Sequence, residues 1–325
     1  MGLLLALVLI LSLGACKKDE PKDETSEPVS FTVTFDSGGV GKIPSQTVEG
    51  GSLLSEPPLL EKEGYIFGGW VEEWVGVWDF SEHLVSRDMT LCASWLSADA
   101  VFSYELLGDT VCITGLKQTV DRIGIPSVIN GFAVSEIGEG VFAELSSAKV
   151  SSITIPKSVT TIGDSAFRNA SSVIITFEEG SALSFVGEDA FLGCNGLSAV
   201  SFSEQMTELS VGSFSGTSLR SVTLPSGVSV IPESIFDGCA SLGMITMSGN
   251  VTTVEDSAFF GCSSLATVLL YGTEEQADAL LAEGIAHRNE AFSEATFYLY
   301  SEREPAESGA YGFWHFDENQ TVKIW

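Results

Sequence analysis

Between Ile137 and Gly272 one arrangement of apolar and polar positions recurs six times. Aligning EIGEGVFAEL, TIGDSAFRNA, FVGEDAFLGC, LSVGSFSGTS, VIPESIFDGC and TVEDSAFFGC puts Phe142, Phe167, Phe191, Phe214, Phe236 and Phe259 in one column, spaced 25, 24, 23, 22 and 23 residues apart. So short and regular a period predicts a solenoid, one coil of chain per unit. Ahead of the phenylalanine stands an apolar residue such as Ile162, Val186 or Val254. After it come a Gly-Cys pair (Gly193-Cys194, Gly238-Cys239, Gly261-Cys262) and then Leu197, Leu242 or Leu265. Units close on alternating runs such as Ile153-Thr154-Ile155-Pro156 and Val222-Thr223-Leu224-Pro225, which predict short strands ended by proline. A single unit cannot enclose its own Ile, Phe, Cys and Leu, so the units are stable only when stacked.

Outside the array the pattern changes. Met1 to Ala15 is a continuous apolar run, too short to span a membrane comfortably, that ends in small residues before Cys16. Residues 17–30, KKDEPKDETSEPVS, can bury almost nothing and predict a disordered tether. Residues 31–96 alternate as strands around FTVTF, Gln46-Thr47-Val48, Gly64–Trp70 and Met89–Trp95, which predicts a small β module whose many aromatics fill a limited interior. Residues 97–136 hold two further strand patterns and a divergent coil, IGIPSVING, fit to cap the array. Residues 273–325 open with Thr273-Glu274-Glu275-Gln276, a capping-box pattern ahead of Ala277, Leu280 and Leu281, with Gly284 as the stop. Strands at Ala295–Tyr300 and Tyr311–Phe316 complete a second cap.

The repeat resembles the BspA-like, or Treponema pallidum type, leucine-rich repeat, carried by TIGDSAF, TIPKSVT and VEDSAFFGCSSLATV. The second unit departs from that form with Asn169-Ala170 and no proline turn, the fourth with Gly216-Thr217. Residues 31–96, closing on Thr90-Leu91-Cys92-Ala93-Ser94-Trp95, resemble the Listeria-Bacteroides or internalin B-type repeat, which implies a β-grasp-like module. Leu13-Gly14-Ala15-Cys16 resembles a bacterial lipobox, which implies acylation of Cys16 and a lipid-anchored chain. The fold expected is therefore mainly β, a leucine-rich repeat solenoid of residues 137–272 behind a small β-grasp-like module.

Charge narrows the partners. Lys and Arg number 15 against 44 Asp and Glu, a net charge of −29, which disfavours nucleic acid and anionic lipid because both need basic patches. Membrane contact is expected through the N-terminal lipid alone. Setting Cys16 aside, three of the other five cysteines occupy one repeat position, which predicts small buried hydrophobes rather than a disulfide framework. Neither a metal nor a cofactor is expected, since no C-x-x-C, EF-hand or acidic nonapeptide occurs.

Catalytic signatures fail on inspection. His83, His287 and His315 are scattered outside the repeats, and Gly212-Ser213-Phe214-Ser215-Gly216 puts Phe where a nucleophile would stand. Gly38 to Lys42, GGVGK, lacks the first glycine and the Ser or Thr of a phosphate loop. A non-catalytic scaffold is expected. BspA-like repeats imply a cell-surface adhesin contacting host extracellular-matrix or cell-surface proteins, or other bacteria, from a bacterial membrane that is the outer one in a Gram-negative cell. The alternative is a carbohydrate-binding lipoprotein serving glycan uptake or degradation. Its stacking face would come from Trp70, Trp74 and Trp78, with Trp74 foremost, and a second candidate ligand residue is Trp314.

Overall fold

The computed structural model describes residues 29–145, 150–303, 310–319 and 321–325. The apolar leader, Cys16 and all of the expected tether but Val29 and Ser30 lie outside the described residues. Five strands make the first sheet: β1 (Ser30–Asp36), β2 (Gln46–Glu49), β3 (Tyr65–Glu72), β4 (Gly76–Val77) and β5 (Met89–Ser97). Their order is β2-β1-β5-β3-β4, with β1 and β5 parallel and the other pairs antiparallel. That order suits a β-grasp-like unit, although the crossover between β2 and β3 carries no helix. The module has its own core of Val33, Leu54, Phe67, Trp70, Trp78, Val85 and Leu91. Its aromatics therefore pack the interior, with Phe35 and Phe67 edge-on to Trp70 at 5.0 and 5.6 Å.

A short helix, α1 (Ala98–Val101), leads into β6 (Phe102–Leu107), β7 (Thr110–Leu116), β8 (Arg122–Gly124), β9 (Val128–Ile129) and β10 (Phe132–Ile137). From here the chain coils. Short strands β12 (Thr161–Ile162) and β14 (Phe185–Val186) extend β10 in parallel, which aligns Ile137, Ile162 and Val186 as one buried column. On another side β11 (Ser152–Ile155) joins β8 to β13 (Ile174–Phe177). Further along, β15 (Ser221–Thr223), β17 (Met244–Ser248) and β19 (Thr267–Tyr271) form a second long ladder, with β16 (Val230–Ile231) and β18 (Thr253–Val254) as its short partner.

The six phenylalanines of the repeat stack inside the coils, each with no exposed surface. Ring centroids of successive coils lie 5.0, 5.0, 5.5, 6.1 and 5.5 Å apart. These distances sit close to the spacing of paired strands, because coil-to-coil backbone pairing sets the pitch. Main-chain bonds run beside the rings: Phe167 N–H donates to Ala190 O, Phe191 N–H to Ser213 O and Phe214 N–H to Ile235 O, at 2.8, 2.9 and 3.0 Å. Burial of each ring contributes roughly 2–3 kcal/mol against an exposed side chain.

Both ends differ from the reading of the sequence. At the start, Phe102 meets Phe142 edge-on at 6.3 Å and closes the stack. At the far end stacking does not stop at Gly272. A capping box on Thr273 starts α2 (Glu274–Glu283), as expected, but α3 (Glu290–Ser293) then returns Phe292 onto Phe259 at 4.7 Å, a seventh rung. Strands β20 (Thr296–Tyr300) and β21 (Gly312–Phe316) continue the ladder in parallel, and β22 (Val322–Ile324) closes it antiparallel. A helix inserted into the coil breaks the sequence period without breaking the pile. The long ladder is instead interrupted between β13 and β15, where single bridges such as Ile175 to Leu197 replace strands.

Candidate binding surface

Each expected site residue takes a definite place, Cys16 excepted. Trp74 sits at the tip of the β3–β4 hairpin with 79% of its surface exposed, beside exposed Val75 and Val77. The turn is held from inside. The Glu72 carboxylate, 5% exposed, accepts the N–H groups of Trp74 and Val75 at 2.8 and 3.0 Å and a bond from Arg87 Nη2 at 2.7 Å. The Trp74 N–H bond, ahead of Arg87, keeps this carboxyl below the usual glutamate range. Trp70 and Trp78, 1% and 5% exposed, are core residues, so the three-tryptophan stacking face reduces to Trp74 alone.

Trp314 corrects the other expectation. β21 is paired on both sides, and its indole is fully buried against Tyr271, Tyr300 and Phe316 at 4.7, 5.0 and 5.3 Å. A ring closed in this way packs the terminal sheet and offers no face to a ligand. His315 beside it stacks on Trp325 at 3.8 Å.

The cysteines at the repeat position are free and buried. Each thiol donates to the carbonyl of the phenylalanine one coil earlier: Cys194 to Phe167, Cys239 to Phe214 and Cys262 to Phe236, at 3.0, 3.1 and 3.1 Å. Burial pushes the Cys194 thiol up to about 12 and raises those of Cys239 and Cys262. These are packing groups, too weakly acidic to act as nucleophiles near neutral pH. In the fourth coil Thr217 does the same work, its hydroxyl donating to Phe214 O at 2.9 Å. Among the described residues no group of three or more His, Cys, Asp or Glu is placed to hold a metal ion, and no helix is long and apolar enough to cross a membrane.

Polar character lies on the outside. Three residues before each phenylalanine stand Glu139, Asp164, Glu188, Val211, Glu233 and Asp256, all exposed, so a column of carboxylates with one gap runs along the turns. Glu188 N–H donates to Asp164 Oδ1 at 2.9 Å, which ties two neighbours of the column together. Like charges one coil apart repel by on the order of 1 kcal/mol in water. The sequence contains this column, but its alignment becomes visible only once the phenylalanines are known to be in register.

Comparison with known proteins agrees with this architecture. The BspA type leucine rich repeat region matches residues 123–242 and 175–277, in 6 copies, and the Listeria-Bacteroides repeat domain matches residues 31–94. A proposed membrane protein of Evansella cellulosilytica is 39% identical over 80 residues, a stretch that covers 24% of this chain and 12% of that protein. A leucine rich cell surface protein of Faecalibacterium prausnitzii is 25% identical with a TM-score of 0.48, covering 70% of this chain and 60% of the other. The leucine rich repeat protein of Treponema pallidum is 24% identical with a TM-score of 0.40, covering 52% and 90%. Residues 123–277 are thus a BspA-type leucine-rich repeat region, and residues 31–94, ahead of them, a Listeria-Bacteroides repeat domain.

Proposed function

We propose that the protein is a non-catalytic cell-surface adhesin or protein-binding scaffold that holds partners along the outside of its solenoid. The observation that carries this reading is the exposed column Glu139, Asp164, Glu188, Glu233 and Asp256, borne by coils whose interior is filled with apolar rungs. A rigid rod with a line of negative charge suits a macromolecule with a basic surface, and repeat proteins use their extended faces in this way. Host extracellular-matrix or cell-surface proteins, or the surface of other bacteria, are the partners that the repeat family suggests. Acylation of Cys16 and a tether of residues 17–30 would hold the folded part outside a bacterial membrane, in line with the membrane-protein description of the Evansella relative.

The test passes the full chain over immobilised fibronectin, laminin and collagen by surface plasmon resonance. Saturable binding to at least one is expected, weakening as salt rises and largely lost in a Glu188→Gln, Glu233→Gln, Asp256→Asn variant. Binding to none of them, or binding that ignores both salt and the variant, removes the reading. Anchoring is checked separately: Cys16→Ser should release the protein into the medium, and retention in the membrane fraction argues against the lipid. The glycan-binding alternative keeps only Trp74, and loss of oligosaccharide binding in Trp74→Ala would be its signature.

A further inference from the structure

A cleft of about 420 Å³ opens between the small module and the first coil. One wall is the segment Val77–Ser81, which continues β4, the edge of the module sheet and the hairpin that carries Trp74. The opposite wall is Asp121, Arg122 and Ser151. The Arg122 guanidinium bonds the Glu56 carboxylate across the junction and lies 3.7 Å from Asp121. Its charge is reinforced by Glu56 first, and less by Asp121 and Asp79.

Three carboxylates therefore face one cation, and they remain in reach of solvent: the side chains of Asp121 and Glu56 are 67% and 34% exposed. A second observation is independent of charge. Trp70 and Trp78 both line the cleft, and the indole N–H of each has no acceptor in the protein. Buried donors without a partner are costly, so a guest that brings an acceptor gains by supplying it.

We propose that this cleft receives a lysine or arginine side chain from an extended segment of a protein partner. The cation would lie among Glu56, Asp79 and Asp121, with neighbouring apolar side chains on Val77 and Phe80 and main-chain carbonyls toward the indole donors. The proposal rests on the protein-binding reading above and adds a contact separate from the solenoid column. A sugar fits the same cleft less well. Stacking on a sugar needs an exposed aromatic face, and Phe67, Trp70 and Trp78 are 6%, 1% and 5% exposed.

The test titrates the full chain with the acetylated, amidated peptide Val-Lys-Val-Lys-Val, followed by calorimetry and by tryptophan fluorescence, which reports on the two lining indoles. Controls are the Val-Ser-Val-Ser-Val peptide and maltohexaose. Saturable binding of the lysine peptide is expected, weakened about tenfold by Asp121→Asn, the loss of one bond to a charged group. Asp121 is exposed, so the variant should keep the fold, verified by an unchanged melting temperature. Glu233→Gln with Asp256→Asn should leave the peptide affinity alone while lowering capture of matrix proteins. A lysine peptide that does not bind, one that ignores Asp121→Asn, or maltohexaose binding that this substitution abolishes would overturn the proposal. Because the column variant is read on a different ligand, failure here and failure of the adhesin reading give different results.

Discussion

Left-handed backbone recurs at two fixed places in every coil. Two residues before the phenylalanine, Gly140, Ser165, Asp189, Gly212, Ser234 and Ser257 have φ between 52° and 64°; two residues after it, Glu144, Asn169, Gly193, Gly216, Gly238 and Gly261 have φ between 55° and 74°. The glycine of the Gly-Cys pair is thus a backbone requirement, and Asn169 meets it in the second coil as the side chain best able to tolerate that conformation. Gly261→Ala should cost about 1–2 kcal/mol, since its Cβ would also sit 3.3 Å from Gly238 Cα. A shift in the denaturant midpoint measures it. The buried thiols make a second prediction. Desolvation raises Cys112 to about 11 and Cys194 to about 12, above the unfolded value near 8.5. A group with a raised folded pKa gives stability that is full below its unfolded value and is lost as pH rises toward the folded one. Melting temperature should therefore fall between about pH 8.5 and 11, and less steeply in Cys194→Ala. The motif was visible in the sequence as letters; the dihedral reason for it was not.

The stacked rings are the element on which the rest depends. Phe191→Ala, in the middle, should cost about 3–5 kcal/mol, measurable by urea denaturation, because neighbours on both sides line the cavity. Sequence reading found this ladder through its period and missed its last rung, since α2 separates Phe292 from Phe259 by more than one repeat length. It also missed Asn289. That side chain is 2% exposed, and its Oδ1 accepts the Phe259 N–H at 2.9 Å where another coil would otherwise offer a carbonyl. Its Nδ2 donates to Glu255 O and Ala286 O at 2.8 and 3.1 Å. Asn289→Ala should destabilise by about 1–3 kcal/mol for each group left unpaired, read as a lower thermal midpoint. No spacing or composition marks an asparagine for that role. The Trp74 hairpin is an element with its own pH response. Glu72 titrates below the usual glutamate range because of its bonds to the Trp74 N–H and Arg87, so its contribution is present at neutral pH and lost as acid protonates it. Fluorescence anisotropy of Trp74 should fall on acidification, and in Glu72→Gln it should be low at neutral pH already.

At the scale of the whole molecule, the charge of −29 sets how far partners feel it. Salt screens exposed charge over about 10 Å at 0.1 M, so association with a basic partner should slow several-fold between low and physiological salt while dissociation changes little. Stopped-flow mixing at two salt concentrations separates the two rates. The Asn289 plug carries a consequence for assembly. A solenoid with a bare final coil would present unsatisfied main-chain groups and an open apolar ring to the next copy, a head-to-tail contact that has no reason to close. By filling that face from its own chain, the protein has a finite length and stays out of fibres, even though each of its coils is built to be extended.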